Sequence, residues 1–134
     1  MYVYSAFRRV SYAETDKMGF LYYGRYADYY ETGRVEALRA LGFVYKTMEE
    51  NGLIMPVLDM HIRYRKPAFY DDLLEIKTSI PERPGVRIRF CYEIFNSGQK
   101  LINEGETTLV FYDSEKKRPC ECPPDLAEAL SLFY

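Results

Sequence analysis

Residues 12–42 read YAETDKMGFLYYGRYADYYETGRVEALRALG, and this stretch decides the fold. Tyr26, Tyr30, Gly33, Ala37, Ala40 and Leu41 recur at spacings of three and four, so they share one face of a helix. Arg25, Asp28, Thr32, Glu36 and Arg39 fall away from that face. The helix is expected to begin near Tyr23 or Gly24 and to stop at Gly42, a residue suited to the left-handed turn beyond a last helical position. Gly33 sits inside the apolar stripe, where glycine costs about 1 kcal/mol relative to alanine. That placement predicts close approach to a neighbouring backbone. Ahead of the helix lies an acidic turn, with Asp16 in it and Gly19 letting the chain reverse. The first N–H groups of a helix have no internal partner and its dipole makes that end positive. A carboxylate, or a substrate oxygen gaining negative charge, is therefore favoured there.

Outward from this stretch the pattern changes from period 3.6 to period 2. Tyr2 to Tyr12 reads as a strand, and Val44 to Asn51 as a short helical segment closed by Asn51-Gly52. From Ile54 to Arg65, Leu58, Met60, Ile62 and Tyr64 alternate with Asp59, His61, Arg63 and Arg65. Leu73 to Ile80 alternates with Leu74, Ile76, Thr78 and Ile80 on one side. Val86 to Phe95 is the cleanest run, setting Val86, Ile88, Phe90, Tyr92 and Ile94 against Arg87, Arg89, Cys91 and Glu93. Asn96-Ser97-Gly98 makes a hairpin turn. In Leu101 to Tyr112 the parity breaks around Asn103 and Gly105, which points to a bulge or a two-sided environment. Pro123-Pro124 opens a last helix carrying Leu126, Ala129, Leu130 and Phe133 on one side. One early helix followed by strands that each hide one face describes an α+β fold, an antiparallel sheet wrapped around a central helix.

The bulk numbers narrow the function. With 134 residues and no repeat or linker, the chain reads as one domain over 1–134. A net charge of −2 lacks the basic field of a nucleic-acid or membrane-surface protein. No leader or membrane-crossing run is visible, so neither membrane insertion nor nucleic-acid binding is expected. Cys91, Cys120 and Cys122 cannot all pair, and the Cys120–Cys122 spacing suits neither zinc nor a redox pair. Reduced thiols and a cytoplasmic location follow. Fourteen tyrosines without a tryptophan imply buried rings whose hydroxyls each want a partner.

The run YAETDKMGFLYYGRYADYYETGR resembles the signature of the 4-hydroxybenzoyl-CoA thioesterase-like branch of the hotdog fold, which includes the Tol–Pal-associated acyl-CoA thioesterases. MPVLDMHIRYRKPAFYDDLLEIKT and INEGETTLVFYD are similar to later blocks of the same family, and the likeness spans Phe7 to Leu130. The resemblance implies a hotdog acyl-CoA thioesterase without metal or organic cofactor. Asp16 would act on the thioester as nucleophile or as base for water, and the backbone amide of Tyr23 would polarise its carbonyl. Two chains would pair sheet edge to sheet edge in a homodimer or homotetramer, with the strand Val57 to Tyr64 lining the partner's pocket. Substrate contacts are then expected from Gly19, Tyr22 and Tyr26, and from Met60 and His61 on that strand. Many Tol–Pal-associated members carry histidine where Tyr23 stands; tyrosine is closer to the hydroxybenzoyl enzymes.

Other residues compete for these roles. Asp16 can equally cap its own turn. Glu31, two turns into the helix, is a rival carboxylate whose bland reading is a structural acid bound to a tyrosine or Arg34. Glu14 is expected to be solvated. His61 is the only histidine, which leaves no material for a Ser-His-Asp triad or a multi-histidine metal site. Arg63, Arg65, Lys66, Arg87 and Arg89 form either a solvated strand face or a cradle for the phosphates of coenzyme A. A carrier-protein thioesterase and a non-catalytic acyl-binding or oligomerisation module are the alternatives to an acyl-CoA thioesterase.

Overall fold

The computed structural model describes residues 1–134. Its strands are β1 (Tyr2–Arg9), β2 (Leu53–Ile54), β3 (Val57–Tyr64), β4 (Leu73–Ile80), β5 (Arg87–Phe95), β6 (Leu101–Val110), β7 (Tyr112–Asp113) and β8 (Arg118–Pro119). Its helices are α1 (Tyr26–Ala40), α2 (Tyr45–Glu50) and α3 (Pro124–Ser131). Five strands form an antiparallel sheet in the order β1-β4-β5-β6-β3, and β2, β7 and β8 form a small second sheet. Helix α1 lies on one face of the large sheet against β1, β4 and β5. The class is α+β, as the change of period implied.

Parity explains the core. Leu74, Ile76, Thr78 and Ile80 of β4 and Ile88, Phe90, Tyr92 and Ile94 of β5 all point toward α1, and none is more than 1% exposed. Each large apolar side chain so buried contributes about 1.5–3 kcal/mol. The helix answers with Tyr26, Tyr29, Tyr30, Gly33, Ala37 and Leu38. Tyr29 and Leu38 join the buried face, whereas Ala40 is exposed. After Ala40 the chain turns through Gly42 at φ +95°, where the Phe43 N–H reaches back to the Leu38 carbonyl at 3.0 Å. That is the glycine stop read from the sequence.

Four expectations need correction. First, β1 ends at Arg9, because Tyr12–Glu14 winds into a 3-10 turn. Second, β3 hides almost nothing: only Ile62 is half-buried, while Val57, Leu58, Met60 and Tyr64 are exposed. It is the edge strand, with one neighbour, and α1 lies over the other side of the sheet. Third, the register of β6 slips opposite Ile94 and Phe95, whose partners are Asn103 and Leu101. Ile102 is therefore the extra residue, and pairing through Asn103 and Gly105 is regular. The bulge explains why Ile102 and Asn103 are both buried.

Fourth, Gly33 approaches side chains and not backbone. A methyl group built there would strike Thr78 Oγ1 and come within 2.8 Å of Ile76 Cγ2 on β4. The close backbone approach is instead at Gly105, where a methyl would press on the His61 carbonyl and the Tyr30 hydroxyl. The buried phenols mostly find partners. Tyr2 donates to the Ala37 carbonyl at 2.7 Å, and Tyr30 to Asn103 Oδ1. Tyr92 and Thr107 share a hydrogen at 2.6 Å, and Tyr30 stacks on Tyr92. Helix α3 starts at Pro124 and buries Leu126 and Leu130. No helix is long and apolar enough to cross a membrane.

Candidate active site

Asp16 is held by its own turn. Its Oδ1 accepts the N–H of Met18 at 2.9 Å and of Phe20 at 3.2 Å, and its own N–H donates to the Phe20 carbonyl at 2.9 Å. Gly19 makes the reversal possible at φ +81°. The carboxylate is thus oriented through one oxygen, while Oδ2 has no protein partner. The capping role and a chemical role are compatible here.

The helix start lies beside it. A 3-10 turn, Tyr23–Arg25, leads directly into α1. The Arg25 N–H is taken by the Tyr22 carbonyl, but the N–H groups of Tyr23 and Gly24 have no partner among the loop and cap hydrogen bonds. Tyr64, at the end of β3, donates its hydroxyl to the Tyr23 carbonyl at 3.1 Å and meets the rings of Tyr23 and Tyr26 edge-on. A cleft of about 300 Å³ opens between these groups. Asp16, Met18, Phe20, Leu21, Tyr23, Tyr26 and Tyr64 line it, with Arg65, Lys66 and Pro67 completing the wall. Tyr26 is only 3% exposed, and burial together with Tyr64 pushes its phenol up to about 12, so it stays neutral. Asp16 and Gly19 also border a second recess, shared with Tyr12, Thr15, Lys17 and Tyr70. Tyr22 stands exposed against the Tyr23 ring.

Glu14 is the residue that sequence reasoning misplaced. It is not solvated but 7% exposed. Its Oε1 accepts the Tyr29 hydroxyl at 2.7 Å and the Ser11 N–H at 3.0 Å, while Oε2 pairs with Arg8 at 2.7 Å. Arg8 also reaches Thr32 Oγ1 at 2.9 Å and lies over the Tyr29 ring. The Tyr22 N–H binds the Glu14 carbonyl at 2.9 Å. Burial alone would raise the Glu14 carboxyl, but the Ser11 N–H, the Tyr29 hydroxyl and Arg8 together hold it below the usual carboxylate range. The network fastens both ends of the Asp16 turn to β1 and α1. The sequence signal was the Ser11-x-x-Glu14 spacing of a capping box, which the structure forms.

The remaining candidates lie elsewhere on this chain. Met60, His61 and Arg63 are exposed on β3. His61 and Arg63 border a polar recess of about 560 Å³ on the outer sheet face with Cys91, Glu93, Glu104 and Glu106. Arg87 and Arg89 are on that outer side of β5, away from Asp16. Arg89 is occupied by Glu82 at 2.9 Å and Glu106 at 2.8 Å, and Arg65 by Glu104 at 2.9 Å. The outer-face cations are thus largely matched by carboxylates, while Lys66 at the cleft wall has no ion pair. Glu31 is exposed and without a hydrogen bond, beside Thr32, Val35 and Glu36 and not in the Asp16 cleft. No group of three or more His, Cys, Asp or Glu side chains is arranged to hold a metal.

Comparison with known proteins gives this geometry a context. The model of the thioesterase-like superfamily matches residues 10–130. The putative acyl-CoA thioesterase YneP of Bacillus subtilis is 34% identical over 112 residues, 84% of this chain and 81% of that protein. The acyl-CoA thioester hydrolase YbgC of Escherichia coli O157:H7 is 34% identical over 118 residues, 88% of each chain. The crystal structure of a DHNA-CoA thioesterase from Staphylococcus aureus superposes with a TM-score of 0.93 at 36% identity, covering 98% of this chain and 91% of that one.

Proposed function

The chain belongs to the thioesterase-like superfamily, and from that membership we propose that Asp16 and the start of α1 carry out its chemistry. The protein is an acyl-CoA thioester hydrolase of the hotdog fold. The reading assigned to it is hydrolysis of a small acyl-CoA, aliphatic or aromatic, to the free acid and coenzyme A, without metal or organic cofactor, in the cytoplasm. One observation supports it above the others: a carboxylate with one oxygen pinned and one free lines the same cleft as Tyr23, whose N–H is unpaired at the helix start.

The steps follow from that arrangement. The thioester carbonyl lies against the Tyr23 N–H, which stabilises negative charge on oxygen as the carbon becomes tetrahedral; one such donor contributes on the order of 3 kcal/mol. Asp16 then acts in one of two ways. Its free oxygen adds to the carbonyl carbon and expels the thiolate, leaving an anhydride that water opens. In the other way it removes a proton from a water that attacks the carbon directly. Both yield acid and thiol. Lys66, at the cleft wall and without an ion pair, is placed to meet the phosphates of the leaving group, whereas Arg65 beside it is held by Glu104. Two chains pair along the open edge of β3, whose Val57, Leu58 and Met60 are exposed; Met60 and His61 then serve the partner's cleft.

The test is thiol release from a panel of acyl-CoAs by wild type, Asp16→Asn and Glu31→Gln. Wild type releases coenzyme A, Asp16→Asn loses about 100-fold or more, and Glu31→Gln retains activity. Loss with Glu31→Gln and not with Asp16→Asn overturns the assignment. Acylated Asp16 trapped in a rapid quench and weighed by mass spectrometry separates nucleophile from base.

A further inference from the structure

The tyrosine hydroxyls inside this protein follow a rule with one exception. Five tyrosines are buried: Tyr2, Tyr26, Tyr29, Tyr30 and Tyr92. Four of them bind the Ala37 carbonyl, the Glu14 carboxylate, the Asn103 amide oxygen and the Thr107 hydroxyl respectively. Half-buried Tyr45 likewise takes the Met55 N–H at 3.2 Å. Tyr26 alone binds nothing, although its residue is 97% covered. A buried phenol left without a partner is costly, and natural interiors rarely keep one without a reason.

The position of that hydroxyl supplies a reason. The polar side-chain atoms that are both sealed from solvent and unpartnered are Thr78 Oγ1 and Asn103 Nδ2. The Tyr26 oxygen is not among them, so the small exposure the residue keeps includes its hydroxyl, and Tyr26 lines the Asp16 cleft. Tyr64, an exposed tyrosine of the same lining, has already spent its hydroxyl on the Tyr23 carbonyl. Apart from Asp16, the other covered side chains of the lining, Phe20 and Leu21, are hydrocarbon. A ligand entering the cleft therefore meets one free buried hydroxyl in apolar surroundings. Depth decides which part of the ligand this is. Tyr23 is 63% exposed at the mouth, where the thioester and the charged leaving group lie, while Tyr26 is 3% exposed at the base.

We infer that Tyr26 is a specificity residue: its hydroxyl binds an oxygen carried by the acyl group beyond the thioester carbonyl, so the enzyme selects hydroxylated or oxo acyl groups over plain hydrocarbon ones. The inference rests on the acyl-CoA reading of the Asp16 cleft. It follows the general behaviour of sites built to hydrogen-bond a substrate hydroxyl, which discriminate strongly because their own polar group is otherwise left unpaired.

Two matched pairs test it: benzoyl-CoA against 4-hydroxybenzoyl-CoA, and butyryl-CoA against 3-hydroxybutyryl-CoA. Wild type turns over the oxygenated member of at least one pair with the higher kcat/KM. In Tyr26→Phe the ratio of oxygenated to plain kcat/KM for that pair falls about tenfold, the loss of one good neutral hydrogen bond. The ratio is independent of how much of the variant is folded. No preference in wild type, or a ratio unchanged in Tyr26→Phe, overturns the inference while leaving the thioesterase reading intact. Equal losses on both members would place the hydroxyl at the thioester itself and also overturn it. No thiol release by wild type from any of the four would refute the acyl-CoA reading, and the inference with it.

Discussion

Replacing Glu14 by Gln changes one atom, and the structure says how much that atom matters. Gln keeps an oxygen for the Tyr29 hydroxyl and the Ser11 N–H but presents an NH₂ group to Arg8, which loses its partner at 2.7 Å. Hydrogen bonds to a charged group are worth about 1.5–3 kcal/mol and to a neutral one about 0.5–1.5, so the two retained bonds lose about 2 kcal/mol together. Breaking a buried pair costs about 3–5 kcal/mol. That figure is reduced here because the Arg8 side chain is 29% exposed and keeps Thr32. A net destabilisation of about 3 kcal/mol follows, about 10 °C in Tm for a domain of this size. The pH dependence carries the signature. The folded-state pKa of Glu14 lies below the unfolded one, so its stabilisation is present above the ordinary carboxylate pKa and is lost as pH falls through the depressed value. Urea denaturation of both proteins from neutral pH into the acid range is the assay. The gap between them holds from pH 7 to about pH 4.5 and narrows below it. A loss within about 0.5 kcal/mol at pH 7, as for an ordinary surface exchange, would refute the reasoning, as would a gap that does not change with acid.

Gly105→Ala is more damaging than Gly33→Ala, because its methyl would meet the His61 carbonyl, which is backbone, whereas Gly33 meets only side chains of β4. Thermal melts should show Gly33→Ala down by about 1–2 kcal/mol, overpacking less the helix propensity gained, and Gly105→Ala lower still or unfolded. Tyr64→Phe frees the Tyr23 carbonyl and the 3-10 turn; kcat should fall more than stability, which changes by about 1 kcal/mol. Burial raises the thiols of Cys91 and Cys120 and pushes Cys122 up to about 11, so a thiol reagent at pH 7 labels all three slowly and quickly only in denaturant.

Much of this was legible because a few local rules governed it. Alternation in Leu73–Ile80 and Arg87–Phe95 settled which side chains meet the helix, since a strand has only two faces. The Asp16 turn was readable because a glycine, a carboxylate and a helix start are neighbours in sequence. What stayed hidden depended on distant partners. Glu14 is buried by Arg8 six residues before it and Tyr29 fifteen after it, and no local pattern announces that meeting. Alternation along β3 promised a covered face, but whether a strand is central or at an edge is a property of the whole sheet. A bulge or a two-sided environment was expected around Asn103 and Gly105, and the bulge falls at Ile102 just before them, because composition marks the disturbed region and not the unpaired residue. Arg89 looked available until folding brought Glu82 and Glu106 to it.

Two notches, at Gly33 and Gly105, let the helix settle onto the sheet, one beside Thr78 and the other receiving Tyr30. Tyr26 rides on that helix and Tyr64 on the sheet's edge. The headroom for a guest between them is therefore gauged by two glycines that never touch it, and a selection for bulkier guests has levers well outside the pocket.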